Sequence, residues 1–517
     1  MTDRRARLIT GPPEAVEEIL GILDDTTINV LLPERVPWRR QLLAIALVDL
    51  LARLFPRIHV LGGGQQPADP LLPPGERLLH ERLAESRTHG TEPRVPGATA
   101  TVTIVVGATD VPLGDGAREV IYCDGDGWQS YLGPRPSELA GEGDHCVPVG
   151  PLTAACRAAA RAFAVATAGR GPVVSQLTPT YWSALTFEAD SQPLAAVELP
   201  PPDRLAAVLA GAGSIGGAAA YAFARVPNLA GELSVVDPQS YDENNPDRAL
   251  LTTNAVVAAE AEKASHVAQV LSHLPLDVDP YRGTIEEWVA SRPLGPLPLV
   301  LCAFDSVESR RELQDALPMQ VANAACGGDH IAVSGHVTDN GPCVYCLHIA
   351  DVLDSERITF KLILASTGLP ARMVQAWLEQ GVRLEKQHLR EIERNREMPE
   401  GALDPYVGLT VDELHRVALA YGEFTVELTN GIAAVAAPWV TGLAGFITAG
   451  EALKAATPAY EAYRLGPWSP GRTRYEELLY GSAADAIVGP VARWEGSECL
   501  CRSTRRLRLL AELYPQT

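Results

Sequence analysis

The stretch LAAVLAGAGSIGG, residues 205–217, constrains the fold of this chain more than any other part of the sequence. An apolar run of strand length meets three glycines in the spacing G-x-G-x-x-G, and small residues follow them. In this pattern a strand ends in a tight turn that brings the backbone close to a phosphate, and a helix begins directly after the turn. The sequence therefore predicts a strand–turn–helix unit with Gly211, Gly213 and Gly216 in the turn.

Strand-like and helix-like stretches alternate on both sides of this unit. Alternation of this kind is typical of parallel, doubly wound α/β sheets. The proline-rich ELPPPDR at 198–204 separates two such series, so we predict an N-terminal lobe over residues 1–200. The second lobe is predicted over 201–348 and 409–517. A charged stretch with helical periodicity, 349–408, is predicted to be a helical insertion.

The two lobes resemble each other weakly in sequence. TIVVGATD at 103–110 and LVLCAFD at 299–305 are both apolar strands that end in aspartate. Where the second lobe has its glycine turn, however, the first has PERVPWRR at 33–40. Proline and bulky side chains keep a backbone from the close approach to phosphate that glycine permits. We therefore predict a Rossmann-like N-terminal lobe that is inactive; an unrelated α/β domain is the alternative.

Composition excludes several classes of protein. A net charge of −21 argues against binding to nucleic acid through its phosphates. The N-terminal residues have no apolar core with a cleavage site, so a cytoplasmic location is expected. The Gly/Ala-rich stretch 431–454 ends with Glu451 and Lys454, and we interpret it as a buried helix rather than a membrane span.

The glycine motif alone does not identify the nucleotide. Asp237 ends the next strand about 20 residues on, where a carboxylate accepts hydrogen bonds from ribose, and this arrangement fits NAD as well as ATP. Further along the chain come Asn245, Arg248, Lys263, Asp305 and Arg310. Cationic side chains neutralise a triphosphate, a strand-end carboxylate can hold Mg²⁺, and an amide can orient a phosphoryl group. These residues favour ATP chemistry over hydride transfer.

Together with the glycine turn, YDENNPDR and AFDSVESR resemble the ubiquitin-activating-enzyme superfamily, which includes the ThiF, MoeB and HesA adenylyltransferases. The resemblance lies in the spacing: Asn eight and Arg eleven residues after the strand-end Asp, then a Lys and a second strand-end Asp. It implies that Asp237 binds the ribose and that Asn245, Arg248 and Lys263 bind the phosphates. It further implies that Asp305 takes the Mg²⁺ and aligns the attacking carboxylate. Asn245, Arg248 and Asp305 are thus the predicted catalytic residues.

The resemblance also implies an activity and its partners. We expect a bacterial, fused pseudo-dimeric enzyme that uses ATP to adenylate the C-terminal carboxylate of a ubiquitin-like protein, with a conjugating-enzyme-like protein as a further acceptor. The alternatives are adenylation of a ribosomal peptide or sulfur-carrier protein, a non-catalytic leader-peptide-binding scaffold, and an NAD-dependent oxidoreductase. A monomeric pseudo-dimer or a homodimer is expected.

The resemblance leaves individual positions open. Members of the superfamily commonly borrow an arginine from the opposing lobe, and Arg4, Arg5 and Arg7 are candidates for it. Two positions depart from the usual pattern: Gln239 replaces a frequent Asp, and Ala249 replaces a frequent Gln.

Four of the nine cysteines form two tight pairs, CxxC at Cys343 and Cys346 and CxC at Cys499 and Cys501. Four thiolates can close a tetrahedral structural Zn²⁺ site. The superfamily often carries such a zinc, although its second pair is usually CxxC. Free buried thiols are the alternative.

A covalent carrier for the activated acyl group is harder to find. The segment 349–430 contains no cysteine. Cys326 is a weak candidate because packing of small residues explains it equally well. Hydroxyl groups of Ser366 or Thr367 would be unusual nucleophiles, and direct transfer of the adenylate requires no carrier.

Overall fold

The computed structural model describes most of the chain as two lobes with a small helical cluster. The residues described are 13–63, 66–68, 78–86, 102–108, 117–139, 147–168, 176–195, 197, 200–202, 204–293, 295–327, 330–337, 341–347, 363–364, 366–396, 398, 400–415, 423–428, 431–466, 472–479, 483, 486–491, 499, 501 and 503–515.

The N-terminal lobe is a mixed sheet with helices against its faces. Its strands lie in the order β2-β1-β3-β4-β5-β6-β7, parallel from β2 to β4 and antiparallel from β4 to β7. In chain order the elements are α1 (Pro13–Asp25), β1 (Thr27–Leu31), α2 (Trp38–Leu51), β2 (Arg57–Leu61), α3 (Leu79–Ser86), β3 (Val102–Val106), β4 (Glu119–Asp126), β5 (Gln129–Gly133), α4 (Val149–Ala166), β6 (Thr180–Ser183) and β7 (Ala189–Asp190).

The C-terminal lobe begins with β8 (Arg204–Ala210), α5 (Ser214–Phe223), β9 (Ala230–Val236), α6 (Asn254–Ala258), α7 (Lys263–Leu271), β10 (Leu276–Tyr281), α8 (Ile285–Ala290), β11 (Val300–Cys302), α9 (Val307–Leu313), β12 (Gln320–Gly327) and β13 (His330–Val337). It continues with α10 (Ala371–Gln380), α11 (Lys386–Asn395), α12 (Val411–Leu414), β14 (Glu423–Leu428), β15 (Gly431–Ala436), α13 (Pro438–Ala455), β16 (Arg474–Leu478), β17 (Ile487–Gly489) and α14 (Thr504–Leu513). Short 3-10 helices span Gln314–Ala316, Asp404–Tyr406 and Pro458–Tyr463.

The second sheet repeats the order of the first. Its strands run β10-β9-β8-β11-β12-β13-β16-β17, parallel from β10 to β12 and antiparallel beyond. Without the extra edge strand β10, each strand has a counterpart at the same place in the first sheet. The weak sequence likeness of TIVVGATD and LVLCAFD therefore has a structural reason, because β3 and β11 occupy equivalent positions. The predicted pair of Rossmann-like lobes is confirmed.

Two long buried helices join the lobes. The helices α4 and α13 pack against each other, and α13 also packs along α5. Small residues permit this approach: a Cβ on Gly445 would overlap the carbonyl oxygen of Ile215 in α5, and one on Gly442 would lie 3.1 Å from the Cys156 sulfur in α4. The two lobes consequently share one continuous apolar core.

The helix predicted over 431–454 is shorter than expected. Residues Gly431–Ala436 form β15 and pair with β14, and the helix begins only at Pro438. Proline is favourable in the first turn of a helix, and it keeps the preceding residue, Ala437, in an extended conformation. The helix itself is buried along nearly its whole length, as predicted. Within the described part of the chain, none of the helices combines the length and apolarity needed to cross a bilayer.

The predicted insertion contains helices with a small apolar core of their own. Nine buried residues form this core: Ile363, Leu369, Val374, Leu384, Leu389, Ile392, Leu403, Val411 and Leu414. Its last two members lie beyond residue 408, so the helical unit extends past the end predicted for the insertion.

Candidate active site

A cavity of about 700 Å³ opens at the carboxyl edge of the second sheet. Its walls come from the turns that follow β8, β9 and β11, and from α13. Seven of the eight predicted nucleotide-site residues line it: Gly211, Gly213, Asp237, Asn245, Arg248, Lys263 and Asp305. In a doubly wound sheet this edge is where ligands bind.

The three glycines of the turn have different roles. Gly211 has φ of +94°, and a Cβ there would lie 2.8 Å from the Ala303 carbonyl oxygen. At Gly213 a Cβ would meet no atom within 4 Å, so its absence leaves room in the cavity. Gly216, the eighth predicted residue, does not line the cavity; a Cβ there would overlap the Gly211 carbonyl oxygen. Its smallness therefore lets α5 pack against the turn.

The first turn of α5 faces the cavity through Ser214 and Ile215. Backbone N–H groups in the first turn of a helix have no partner within the helix, and the helix dipole places partial positive charge there. This end of the cavity therefore suits an anionic group such as a phosphate.

The carboxylate of Asp237, directly after β9, stabilises the glycine turn through hydrogen bonds. One oxygen accepts a hydrogen bond from the Ala212 N–H at 2.7 Å, and the other accepts one from the Gln239 N–H at 2.8 Å. Each carboxylate oxygen can accept a second bond. Asp237 can thus hold the glycine turn and still bind ligand hydroxyl groups.

Lys263 lies at the start of α7, where its Nζ donates a 2.6 Å hydrogen bond to the side-chain oxygen of Gln239. Burial lowers the pKa of Lys263, although Asp237 and Asp242 oppose the shift. Gln239 was the departure from the usual Asp. A neutral amide positions the lysine without neutralising it, which leaves the charge for an anionic ligand.

Arg248 and Asn245 come from the irregular segment after β9. The Asn245 side-chain oxygen accepts a hydrogen bond from the Asp242 N–H at 3.2 Å. Burial lowers the pKa of the Arg248 guanidinium, against the opposing effect of Asp242 and Asp305. Its Nε is buried and has no acceptor among the described residues. Because an unpaired buried guanidinium N–H is costly, this arrangement fits an anionic ligand.

Asp305 follows β11 and is exposed at the mouth of the cavity. The next residue, Ser306, caps α9 by accepting the Ser309 N–H at 3.0 Å. Arg310, one turn further on, donates to the carbonyl oxygens of Phe304 and Ala324. Sequence reasoning grouped Arg310 with the phosphate-directed cations. The structure instead gives its guanidinium protein acceptors, so that it fixes the backbone next to Asp305.

Two residues at the site have no sequence signal. Thr441 of α13 lines the cavity, and its hydroxyl lies 3.2 Å from the carbonyl oxygens of both Arg248 and Pro438. Arg53, from the N-terminal lobe, donates to the carbonyl oxygens of Pro246 and Leu250. A threonine in an apolar helix and an arginine in the other lobe match no motif, so they could not be found without the fold.

The four paired cysteines meet in one buried cluster. Their Sγ–Sγ distances are 3.7 Å for Cys343–Cys346, 3.4 Å for Cys343–Cys499, 3.2 Å for Cys346–Cys499, 3.6 Å for Cys346–Cys501 and 3.2 Å for Cys499–Cys501. Zn–S bonds of about 2.3 Å in a tetrahedron give S–S separations slightly below 4 Å. The cluster is therefore compatible with zinc, and the short CxC spacing does not prevent the second pair from joining it.

The structure also places the carrier candidates. Cys326 lines the cavity, and burial raises its pKa to about 12 although Arg310 and Arg248 oppose the shift. The Ser366 Oγ lies 2.8 Å from His415 Nδ1, whereas the Thr367 hydroxyl is buried and donates to the Ile363 carbonyl. The arginine candidates Arg4, Arg5 and Arg7 lie outside the described residues.

The fold and the cavity define an α/β protein of two Rossmann-like lobes with an open cavity in its second lobe. The sequence matches the ThiF family over residues 203–466, slightly more than half of the chain. The chain therefore belongs to the ThiF family. Membership of this family supports an enzyme of the adenylyltransferase type.

Similar proteins include the uncharacterized protein y4jF of Sinorhizobium fredii (strain NBRC 101917 / NGR234). It is 27% identical over 467 residues, which cover 88% of this chain and 84% of that protein. This alignment is longer than the ThiF region, so the similarity includes part of the N-terminal lobe. Solved structures of E. coli MccB are also similar. MccB with MccA-N7isoASN is 14% identical, covers 57% of this chain and 67% of that chain, and has a TM-score of 0.33. MccB with succinimide is 13% identical, covers 57% and 66%, and has a TM-score of 0.32.

Proposed function

We propose that this protein is an ATP-dependent adenylyltransferase that activates a carboxylate. The observation that carries the proposal is the meeting of seven predicted residues around one cavity, with cations in its wall and Asp305 at its mouth. In the reaction a carboxylate oxygen attacks the α-phosphorus of ATP. The bond from that phosphorus to the bridging oxygen of the β-phosphate breaks, so that pyrophosphate leaves and an acyl-adenylate remains.

Each residue acts on the part of ATP that its position in the cavity suits. Asp237 binds the ribose hydroxyls, and the first turn of α5 faces the phosphates. Arg248 and Lys263 stabilise the negative charge that develops on the phosphoryl oxygens, and Asn245 orients them by hydrogen bonding. Asp305 is the carboxylate suited to holding Mg²⁺, which would neutralise phosphate charge when bound.

The substrate we propose is the C-terminal carboxylate of a ubiquitin-like protein in a bacterial conjugation pathway. A volume of about 700 Å³ suits one nucleotide, so the acyl group has to approach from the open side. The helical unit around Val374 and Leu389 has its own core and offers a further protein surface for docking. A ribosomal peptide or a sulfur-carrier protein would present the same carboxylate chemistry.

For the cysteine cluster we propose a structural Zn²⁺ held by Cys343, Cys346, Cys499 and Cys501. A site closed by four thiolates has no open position for catalysis. Its effect would be to tie the segment after β13 to the segment before α14.

ATP–pyrophosphate exchange with a panel of carboxylates tests the proposed function. The panel holds ubiquitin-like proteins, the same proteins with amidated C-termini, sulfur-carrier proteins and ribosomal peptides. We expect exchange with one free carboxylate class and a loss of about 100-fold or more in Asp305→Ala. Glu308→Ala is the matched control, because Glu308 is an exposed carboxylate three residues after Asp305, in α9, and does not line the cavity.

Other outcomes point to the alternatives. Peptide binding without any exchange would favour a non-catalytic scaffold. Absence of exchange together with tight NADH binding would favour an oxidoreductase. Exchange that persists in Asp305→Ala would contradict the role given to that carboxylate.

A further inference from the structure

The segment that carries Asn245 and Arg248 has little regular structure of its own. Between the end of β9 and the start of α6 it forms turns, with one isolated bridge from Ser240 to Glu262. Its internal bonds are short-range, such as the Ala249 N–H to the Asn245 carbonyl at 2.8 Å. Turns of this kind do not by themselves fix the direction of two side chains.

Groups from elsewhere in the chain bind alternate carbonyls of this segment. The Arg53 guanidinium donates to the carbonyl oxygen of Pro246, and to that of Leu250 at 3.0 Å. Between them, the Arg248 carbonyl oxygen lies 3.2 Å from the Thr441 hydroxyl, whose single proton it shares with the Pro438 carbonyl oxygen at the same distance. The backbone on both sides of Arg248 is thus held from outside the segment by Arg53.

Arg53 is well placed to hold this segment. It is 4% exposed and follows directly after α2, whose last turns are buried in the shared core. The guanidinium presents several N–H donors in a rigid plane, so one side chain can bind two carbonyls with little loss of rotamer freedom. A lysine at the same place would have a single ammonium group to share between them.

We infer that Arg53 of the N-terminal lobe is a positioning residue for the nucleotide site of the C-terminal lobe. It fixes the Pro246–Leu250 segment so that Asn245 and Arg248 face the cavity. This inference rests on the proposed function in so far as it concerns ATP. The N-terminal lobe, which is predicted to be inactive, would thereby complete the site of the other lobe, so the second lobe alone would have an incompletely held phosphate-binding segment.

The variants Arg53→Met and Arg53→Lys test the inference by steady-state exchange kinetics. In Arg53→Met, we expect the KM for ATP to rise about tenfold or more and kcat to fall, because two buried carbonyls lose their donor. Arg53→Lys retains the charge and one donor, so its effect should be smaller. The KM for the acyl substrate should stay unchanged in both.

A second contact between the lobes provides the matched control. The Arg157 guanidinium of α4 and the Glu477 carboxylate of β16 are 2.7 Å apart and buried, and neither lines the cavity. We expect Glu477→Gln to lower Tm while leaving the KM for ATP at the wild-type value. An effect of Arg53→Met on Tm alone, with an unchanged KM for ATP, would reduce Arg53 to a contact between lobes and overturn the inference.

Hydrogen exchange gives a readout that needs neither nucleotide nor substrate. Amides of residues 245–252 should exchange faster in both Arg53 variants than in wild type, and at the wild-type rate in Glu477→Gln. If the wild-type protein does not bind ATP, the proposed function is wrong. The difference in amide exchange between the Arg53 variants and wild type still tests the role of Arg53. If Arg53→Met does not fold, Arg53→Lys decides: wild-type exchange at 245–252 in that variant would overturn the inference.

Discussion

The two lobes share a strand order but use the same edge of their sheets in opposite ways. In the C-terminal lobe the edge opens into the cavity beside Gly211. In the N-terminal lobe the Arg40 guanidinium lies over Gly107 and binds the Asp124 carboxylate through Nε at 3.1 Å and Nη2 at 2.8 Å. Arg39, beside it, pairs with Asp126 at 2.9 Å.

This difference separates fold from function. Both lobes place charged groups at the carboxyl edge of a parallel sheet, where the architecture favours a ligand. In the N-terminal lobe the protein supplies the anions itself, since Asp124 is 1% exposed and fully engaged by Arg40, Ser137 and the Gly125 N–H. In the C-terminal lobe the buried Arg248 Nε has no acceptor among the described residues. The same scaffold can therefore be filled or left open by a few side chains.

The largest expected effect concerns the cysteine cluster, which within the described chain belongs to the C-terminal lobe alone. We predict about one zinc ion per chain, lost in Cys343→Ser together with several kcal/mol of stability. Metal analysis and calorimetry measure both. Cys156→Ser, a buried lone cysteine of the N-terminal lobe, should retain the metal. Protein that is free of zinc and insensitive to chelators would contradict the prediction.

The next effect is expected at the carboxyl edge of the N-terminal sheet, which Arg40 and Asp124 fill; we call it the filled edge, and the cavity edge of the second sheet the open edge. Arg40→Met leaves the buried Asp124 carboxylate without its cation, which should cost about 3–5 kcal/mol of unfolding free energy in denaturant titrations. The double variant Arg40→Met/Asp124→Leu should recover part of that loss, because no unpaired charge remains. The KM for ATP should be unchanged in both variants. A rise in that KM would mean that the filled edge influences the open one.

The glycines of the open edge separate stability from binding. Gly211→Ala places a side chain at a φ of +94° and against the Ala303 carbonyl, so we expect a loss of roughly 1–3 kcal/mol in stability. Gly213→Ala meets no protein atom, so Tm should stay near wild type while the affinity for ATP falls. Calorimetry and nucleotide titration of the pair distinguish the two effects. Equal loss of stability in both variants would contradict the assigned roles.

Much of this contrast could be predicted from the sequence, because it depends on residues at strand ends. The glycine turn, Asp237 and Asp305 each follow a strand of the same parallel sheet, so their meeting follows once the strands are recognised. PERVPWRR likewise predicted that the N-terminal lobe would lack a phosphate turn. That an ion pair between Arg40 and Asp124 fills this edge of the N-terminal sheet was not predicted, because the two residues are 84 positions apart.

Other features depend on tertiary contacts that carry no local pattern. Arg53 and Pro246 are separated by 193 positions, and backbone carbonyls leave no trace in a sequence. The helix expected over 431–454 begins later than predicted, because an alanine-rich run can form either a strand or a helix. Here its first residues pair with β14 and therefore form a strand. Gly216 satisfied the motif but serves packing, since spacing alone does not reveal which glycine faces the ligand.

The smallest expected effect concerns Cys326, the thiol that lines the open cavity. Burial raises its pKa to about 12, so at pH 8 its thiolate fraction is roughly one thousandth or less of that of an ordinary thiol. Because the pKa is raised, the reactive form increases only as pH rises. We predict that Cys326 is alkylated slowly at pH 8 and that the rate rises about tenfold per pH unit up to the pKa. We also predict that the kcat/KM of Cys326→Ala stays within about twofold of wild type. Mass spectrometry of iodoacetamide-treated protein and exchange kinetics measure these quantities. A hydroxylamine-sensitive acyl adduct on the Cys326 peptide, absent in Cys326→Ala, would instead make this thiol a covalent carrier and give the open lobe a second chemical step.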